Sequence, residues 1–253
     1  MAHISATIIP RKTLDFRTRI EVIFPQDDRD DFRRPDKILY LLHGLTDDCT
    51  AWSRHSRIES YAEEHGYIVI MPEVHRSFYS NMKYGGQYFS YVTEELPAIC
   101  EELFNIKHER SNTFIAGLSM GGYGAIKCGL TRSDLYAACA GFSGALDPVQ
   151  FIEGDLGDSY RELYAIMDRA DPWPDEADLF KLATKMSTLP KEKQTRVLVT
   201  CGDEDFLIEH NRKFNNHMKT LPTSDYKYTE WPGDHVWKFW EESLPVMFEF
   251  FDS

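Results

Sequence analysis

The chain lacks the features that mark an extracellular or membrane protein. Its 253 residues include only five cysteines, widely spaced and without a Cys-x-x-Cys pair. An odd, scattered set of this kind favours free thiols in a reducing compartment over a disulfide framework. No stretch approaches the roughly 18 consecutive apolar residues of a membrane span, and residues 1–10 do not resemble a signal peptide. We therefore expect a cytoplasmic protein without a membrane partner.

Positive charge is also scarce in this chain. Lys and Arg number 28 against 41 Asp and Glu, which gives a formal net charge of −13 at pH 7. Such a balance argues against nucleic acid or an anionic membrane as a partner. A chain of this length can bury roughly 70–75% of its unfolded surface as one domain, so neither a disulfide nor a structural metal is required.

Short apolar runs alternate with helix-like segments along the chain. The predicted strands are residues 20–24, 38–42, 67–71, 113–116, 137–142, 197–201 and 226–231. The predicted helices are residues 58–64, 94–104, 121–130, 209–220 and 235–251. This alternation predicts an α/β domain over 1–253, with a mostly parallel central sheet of about eight strands flanked by helices. Stricter alternation over 17–24 predicts an antiparallel edge, paired with 6–9.

Residues 145–190 interrupt this alternation. They contain no clear strand, and they hold Asp147-Pro148, a Pro-Trp-Pro sequence at 172–174 and several acidic residues. A long excursion after the carboxyl end of a strand often covers a substrate pocket. The sequence leaves two alternatives open, a pocket-covering insertion that acts as a lid or a solvated helical excursion.

Residues 112–127 combine an apolar strand, a Gly-Leu-Ser-Met-Gly turn and a helix-like run. A sharp turn between a strand and a helix strains its central residue, and flanking glycines remove the Cβ atoms that would clash. Ser119 is therefore predicted to be a nucleophile at the amino end of a helix, where backbone N–H groups stabilise negative charge. A glycine-rich turn that only packs a helix on the sheet is the alternative. The additional glycines Gly122 and Gly124 favour the catalytic interpretation.

A nucleophilic serine needs a general base, which is usually a histidine. Where the serine lies on a turn of this type, an acid and then a histidine follow it along the chain. His210 and His217 lie in a polar helix-like segment, where a solvated position is the simpler interpretation. His235 lies in the turn directly after the last predicted strand, at the edge of the sheet where the nucleophile is expected. His235 is the predicted base.

Three acidic residues follow the strand at 197–201, namely Asp203, Glu204 and Asp205. Position alone does not separate them. Asp205 precedes the apolar pair 206–207, which we expect to anchor the loop, whereas Asp203 is equally suited to a turn or capping role. Asp234 is adjacent to His235 and too near in sequence to face the far nitrogen of its ring.

The predicted oxyanion donors are two backbone N–H groups. One belongs to Met120, the residue after the nucleophile, and the other to Leu45, in the loop after the third strand. His43, in the same loop, is interpreted as a residue that supports the turn. The predicted substrate-pocket residues are His43, Trp52, Phe78, Tyr79 and Ser143. Core packing explains the aromatic members of that set about as well.

Together these motifs resemble the esterase D branch of the α/β-hydrolases, over nearly the whole chain. The resemblance is carried by residues 41–46, 52, 71–73, 77–79, 117–124, 142–144, 201–207 and 233–237. It implies an α/β-hydrolase fold and a triad of Ser119, Asp205 and His235, with Leu45 and Met120 as oxyanion donors. The family pattern thus favours Asp205 over Asp203. It also implies that no cofactor or metal is needed and that the chain can form a homo-oligomer.

The branch includes tributyrin-type esterases, S-formylglutathione hydrolases and carbohydrate acetyl or feruloyl esterases. S-Formylglutathione hydrolases usually carry Ser-Gly-Leu-Thr-Cys in the oxyanion loop, whereas residues 43–47 here are His-Gly-Leu-Thr-Asp, with Cys49 displaced. We therefore expect a carboxylesterase for acetyl to butyryl esters. The other members of the branch and an acyltransferase are the alternatives, and the complete set of triad residues argues against a non-enzymatic scaffold.

Overall fold

The computed structural model describes residues 1–26, 35–148, 162–167 and 174–253. Eight strands within these residues form one sheet in the spatial order β1-β2-β4-β3-β5-β6-β7-β8. The strands are β1 (Ala2–Ile8), β2 (Thr18–Phe24), β3 (Lys37–Leu42), β4 (Tyr67–Pro72), β5 (Thr113–Leu118), β6 (Ala138–Phe142), β7 (Arg196–Gly202) and β8 (Tyr226–Trp231). Strand β2 pairs antiparallel with β1 and β4, and the other neighbours pair in parallel. The predicted α/β architecture and its antiparallel edge are confirmed.

The burial of each strand follows its place in the sheet. Strands β4, β5 and β6 are buried at every position, as parallel strands covered on both faces should be. The edge strands β1 and β8 consist instead of exposed and half-buried residues, apart from the buried Ile8 at the end of β1. Alternate side chains of β3 enter two separate cores, since Tyr40 packs on one face of the sheet while Leu39 and Leu41 pack on the other.

Helices cover both faces of the sheet. They are α1 (Ala51–His55), α2 (Ile58–His65), α3 (Tyr88–Ser90), α4 (Leu96–Phe104), α5 (Met120–Thr131), α6 (Glu162–Met167), α7 (Leu179–Ser187), α8 (Ile208–Met218) and α9 (Trp237–Asp252). A π-helical turn, Tyr91–Glu95, joins α3 to α4. None of the helices in the described ranges is both long and apolar enough to cross a membrane.

Helices α1, α3, α6 and α7 were not predicted from the sequence. Two of them lie in the excursion 145–190, where short and mixed polar segments hide the helical period. Helix α7 begins after Asp178, whose side chain accepts hydrogen bonds from the N–H groups of Phe180 and Lys181 and so caps the first turn. Residues 149–161 and 168–173 of the excursion lie outside the described residues, so a pocket-covering role stays a prediction.

Candidate active site

Ser119 occupies the sharp turn between β5 and α5. Its backbone has φ 53° and ψ −115°, an unfavourable conformation for a residue with a side chain. A Cβ atom on Gly121 would lie 2.5 Å from the carbonyl oxygen of Leu42, so only glycine allows α5 to approach β3 this closely. The N–H of Ser119 donates to the carbonyl of Phe142 at 2.9 Å, and the Ser119 carbonyl accepts from Ala145 at 3.1 Å. The turn is therefore held between β3 and the residues after β6.

His235 lies in the loop between β8 and α9, beside Ser119. Its Nε2 atom is 3.0 Å from Ser119 Oγ, and its Nδ1 atom is 2.9 Å and 3.1 Å from the two carboxylate oxygens of Asp205. The ring also packs between Phe206 and Trp240, with centroid separations of 4.6 Å and 5.0 Å. These contacts fix the plane of the imidazole, so a proton on Nδ1 faces Asp205 and leaves Nε2 free to accept from the serine.

Asp205, in the loop after β7, is 1% exposed. Burial raises the pKa of its carboxyl, but the hydrogen bond and charge of His235 and the N–H of Leu207, 2.8 Å from Oδ1, outweigh burial and lower that pKa below its usual range. Asp205 is thus a carboxylate at neutral pH. A fixed, buried anion can orient the imidazole and stabilise its positive charge.

The neighbouring acids have other contacts. Asp203 and Glu204 are exposed, and the Asp203 carboxylate accepts a hydrogen bond from the N–H of Gly233 at 3.3 Å. Asp234 accepts from the N–H of His235 itself at 2.6 Å. Of the acids considered from the sequence, only Asp205 contacts the imidazole of His235 in the described structure.

Two backbone N–H groups lie beside Ser119. Leu45 and Met120 both line the cleft that contains the serine, and a Cβ atom on Gly44, the residue before Leu45, would lie 3.8 Å from Ser119 Cβ. Within the described ranges neither N–H donates a hydrogen bond to another residue. Met120 is also the first residue of α5, where unpaired N–H groups and the helix dipole favour a negative charge. The pair is suited to bind an oxyanion.

The cleft in front of Ser119 and His235 has a volume of about 510 Å³. Its wall is mostly apolar and aromatic, with contributions from Phe78, Leu118, Phe206, Trp237 and Trp240. Phe78 was among the predicted pocket residues. Phe206, predicted to anchor its loop, is instead 61% exposed at the cleft, and Leu207 provides the buried anchor.

The other four predicted pocket residues, His43, Trp52, Tyr79 and Ser143, do not line the cleft. All are buried beneath it. Trp52 donates through Nε1 to the carbonyl of Leu42 at 3.0 Å, and the Tyr79 hydroxyl donates to the carbonyl of His43 at 2.9 Å. These two hydrogen bonds hold the end of β3 and the start of the oxyanion loop on the side away from the cleft. The side chains of Trp52 and Tyr79 therefore do not face a substrate in the cleft.

Trp237 and Trp240 were missed as cleft residues in the sequence. Both lie in the first turn of α9, two and five residues after His235, and the apolar period there indicated only core packing. Their spacing of three places both rings on one helix face, beside His235. Within the described residues, no three His, Cys, Asp or Glu side chains form a group that could bind a metal.

Comparison with known proteins places this geometry in a family. The esterase family model, described as "Putative esterase", matches residues 12–251. An acetyl esterase of Caldicellulosiruptor saccharolyticus is 31% identical over 94% of each chain.

Two solved structures from Staphylococcus aureus are similar over the whole chain. One is the fluorophosphonate-binding serine hydrolase FphF, 31% identical with a TM-score of 0.86, covering 100% of this chain and 98% of its own. The other is the S-formylglutathione hydrolase FrmB, 32% identical with a TM-score of 0.84, covering 100% and 99%. The chain therefore belongs to the esterase family of α/β-hydrolases and is a carboxylic-ester hydrolase.

Proposed function

We propose that the chain hydrolyses short-chain acyl esters, acetyl to butyryl, with Ser119, His235 and Asp205 as its catalytic triad. The observation that carries this proposal is the continuous set of hydrogen bonds from Ser119 Oγ through His235 to Asp205, at 3.0 Å and 2.9 Å, at the base of an open cleft. Such an arrangement activates a hydroxyl that is otherwise a poor nucleophile at neutral pH.

The first half of the proposed reaction forms an acyl-enzyme. Ser119 Oγ attacks the ester carbonyl carbon while His235 Nε2 accepts its proton. The carbonyl oxygen becomes an oxyanion that accepts hydrogen bonds from the N–H groups of Leu45 and Met120. Removing one such donor in other serine hydrolases costs roughly 3–4 kcal/mol of transition-state stabilisation. The imidazolium then donates its proton to the leaving alkoxide, and the alcohol departs.

The second half releases the acid. Water enters in place of the alcohol, and His235 Nε2 accepts one of its protons as the oxygen attacks the acyl carbon. The same two N–H groups hold the second oxyanion. When this intermediate collapses, Ser119 Oγ leaves and recovers a proton from the imidazolium, so the enzyme returns to its starting state.

The preference for an uncharged ester is supported by the cleft. Its volume of about 510 Å³ is ordinary for a ligand site, and the one carboxylate in its described wall is that of Asp47. Apolar side chains and a negative group together suit a small neutral ester better than a charged one. The whole-length similarity to an acetyl esterase supports the same substrate class.

A second candidate is hydrolysis of S-formylglutathione. The whole-length similarity to an S-formylglutathione hydrolase, at 32% identity, favours it. The formyl group is the smallest acyl group and would fit the same cleft. Against it, Cys49 does not take the place of the oxyanion-loop cysteine, because its thiol is buried and burial raises its pKa to about 12.

The nucleophile is tested by Ser119→Ala, assayed with p-nitrophenyl acetate, butyrate and octanoate. We expect kcat to fall about 10⁵-fold or more, because no other described hydroxyl lies within hydrogen-bond distance of His235 Nε2. Ser53→Ala, a half-buried serine on α1, is the matched control and should keep full activity. Retention of activity by Ser119→Ala would refute the triad.

The substrate class is tested on the unmodified enzyme. We expect kcat/KM to be highest for acetyl to butyryl esters and to fall for octanoyl, as the similarity to an acetyl esterase over 94% of each chain suggests. A kcat/KM for S-formylglutathione that exceeds the value for every acyl ester would select the second candidate.

A further inference from the structure

A second cavity lies between α5 and the segment that follows β4. Its volume is about 680 Å³, and none of its lining residues also lines the cleft of Ser119. Its wall includes the apolar side chains of Met82, Phe89 and Ile166 and the polar side chains of Ser80, Lys127 and Thr131. The cavity is therefore separate from the proposed catalytic site and combines an apolar wall with a cation.

Lys127 is the unusual member of this wall. It lies inside α5 and is 4% exposed. Its ammonium has three N–H donors, of which one donates to Ser80 Oγ at 2.7 Å, while the rings of Phe89 and Tyr123 lie 5.4 Å and 5.7 Å from Nζ. No described carboxylate lies within ion-pair distance of Nζ. Among the described residues, the other two donors of this buried cation have no partner, which leaves them available for a ligand.

An unpaired buried ammonium is expensive, because little in the protein replaces the water that it has lost. Burial lowers the pKa of Lys127 to about 8, so the amine is still mostly protonated at neutral pH. The nearest charged residues of the wall, Lys83 and Glu176, are exposed at its rim and of opposite sign. The charge of Glu176 raises the pKa of Lys127 slightly against the effect of burial, but the Glu176 carboxylate is exposed and forms no ion pair with Nζ.

We propose that this cavity binds a monocarboxylate with an apolar body. The carboxylate accepts hydrogen bonds from the two spare donors of Lys127, and the apolar body packs on Met82, Phe89 and Ile166. One buried cation matches the single negative charge of a monocarboxylate, and the apolar part of the wall matches its body. The volume is sufficient for a fatty or aromatic acid of moderate size.

The proposal is tested by calorimetric titration of the purified enzyme with hexanoate, and with hexan-1-ol as the uncharged probe. We expect hexanoate to bind and hexan-1-ol to bind at least about tenfold more weakly, since hydrogen bonds to a charged group account for roughly one to two powers of ten in affinity. No ester is turned over in this measurement, so its outcome does not depend on the proposed esterase activity.

Two variants locate the binding. Lys127→Met removes the charge with little change of shape, and Thr131→Phe fills the cavity from its exposed edge while keeping the ammonium. Each should weaken hexanoate binding about tenfold or more, whereas Lys193→Met, which removes an exposed lysine elsewhere, should not. Unchanged affinity in both cavity variants would place hexanoate in the catalytic cleft or elsewhere and overturn the proposal. Absence of binding to the unmodified enzyme would also overturn it.

Discussion

Asp203 and Asp205 stand two residues apart in one loop, yet only Asp205 reaches His235 from the interior of the protein. Asp203 is exposed and its carboxylate accepts from a backbone N–H of the next loop. Asp205 is buried and both of its carboxylate oxygens lie within 3.1 Å of His235 Nδ1. The difference between an orienting carboxylate and a turn residue here is burial and direction, because the residue type is the same.

This pair offers a matched test at the scale of one residue. Asp205→Asn should lower kcat about 10⁴-fold, because an amide stabilises the wrong imidazole tautomer and removes the charge that balances the imidazolium. Asp203→Asn keeps an acceptor for the N–H of Gly233 and should lower kcat less than about threefold. Both variants are compared by kcat for p-nitrophenyl butyrate. If Asp203→Asn lowers kcat more than Asp205→Asn does, Asp203 and not Asp205 is the acid of the triad.

The sequence predicted backbone positions at the site better than side-chain directions. The loops that hold the nucleophile, the acid and the histidine follow from strand ends, which a hydrophobic pattern reveals, whereas the choice of Asp205 over Asp203 came from the resemblance to the esterase D branch. By contrast, Phe206 and Leu207 form one apolar pair in the sequence, but Leu207 is buried and Phe206 faces the cleft. Trp52 and Tyr79 are likewise aromatic residues near the site, and their hydrogen bonds to backbone carbonyls turn them away from it. Such directions depend on tertiary packing.

Glu73, the residue after β4, contacts both the loop after β3 and the loop after β4. Glu73 accepts hydrogen bonds from the N–H groups of Cys49 and His75, at 3.1 Å and 2.7 Å, and one carboxylate oxygen lies 3.5 Å from His43 Nε2. Burial raises the pKa of Glu73, but the hydrogen bond and charge of His43 and the two backbone donors outweigh it and lower the pKa to about 2. The oxyanion loop is thus fixed to β4 through one carboxylate.

A pH-dependent stability follows for this contact. Because the pKa in the folded state lies below the ordinary value of 4.5, ionised Glu73 stabilises the fold above about pH 4.5, and that stabilisation is lost as the pH falls toward 2. Glu73→Gln should therefore lower the free energy of unfolding by up to about 3 kcal/mol at pH 7, with a smaller difference at pH 3.5.

Urea unfolding of both proteins at the two pH values measures this effect. Glu102→Gln, on the exposed face of α4, is the control and should change stability by less than about 0.5 kcal/mol. If Glu73→Gln lowers the free energy of unfolding equally at both pH values, the effect comes from packing and not from the charge of Glu73.

Elements with a clear hydrophobic period were predicted well, and short ones were not. Strand β5 and helix α5 were expected within two residues of their observed ends, because an apolar strand and a run of small and apolar residues meet at the glycine turn. Helix α1 has five residues, too few to display a period of 3.6. The polar residues around helix α7 obscure its hydrophobic period. Asp178, a residue type favoured at the N-cap, is the one signal in the sequence that marks where this helix begins.

Across the whole molecule, the five cysteines are free and buried. Burial raises the pKa of the thiols of Cys49, Cys100 and Cys128 to about 12, and it raises those of Cys139 and Cys201 as well. Reaction with alkylating reagents requires both exposure and a thiolate, and these thiols have neither. The fold is therefore held together without a disulfide.

Thiol labelling tests this statement for the molecule as a whole. We expect iodoacetamide at pH 8 to modify none of the five cysteines in the folded enzyme and all five after denaturation in guanidinium chloride. Mass spectrometry of the intact chain counts the added groups. Rapid labelling of one site in the folded protein would contradict the burial described. The expected cytoplasmic location and homo-oligomer stay predictions at this scale, because they depend on surroundings that a single chain does not contain.

The hydrogen bond between Ser119 and His235 joins residues that are 116 positions apart. A chain still on the ribosome therefore displays its serine long before the partner that would accept its proton has been made. During that interval the proposed triad is incomplete, and we expect the serine to react no faster with esters than an ordinary alcohol does. Reactivity toward a fluorophosphonate would appear only after β7 and β8 have joined the sheet, so the time at which labelling begins would report when the second half of the sheet has assembled.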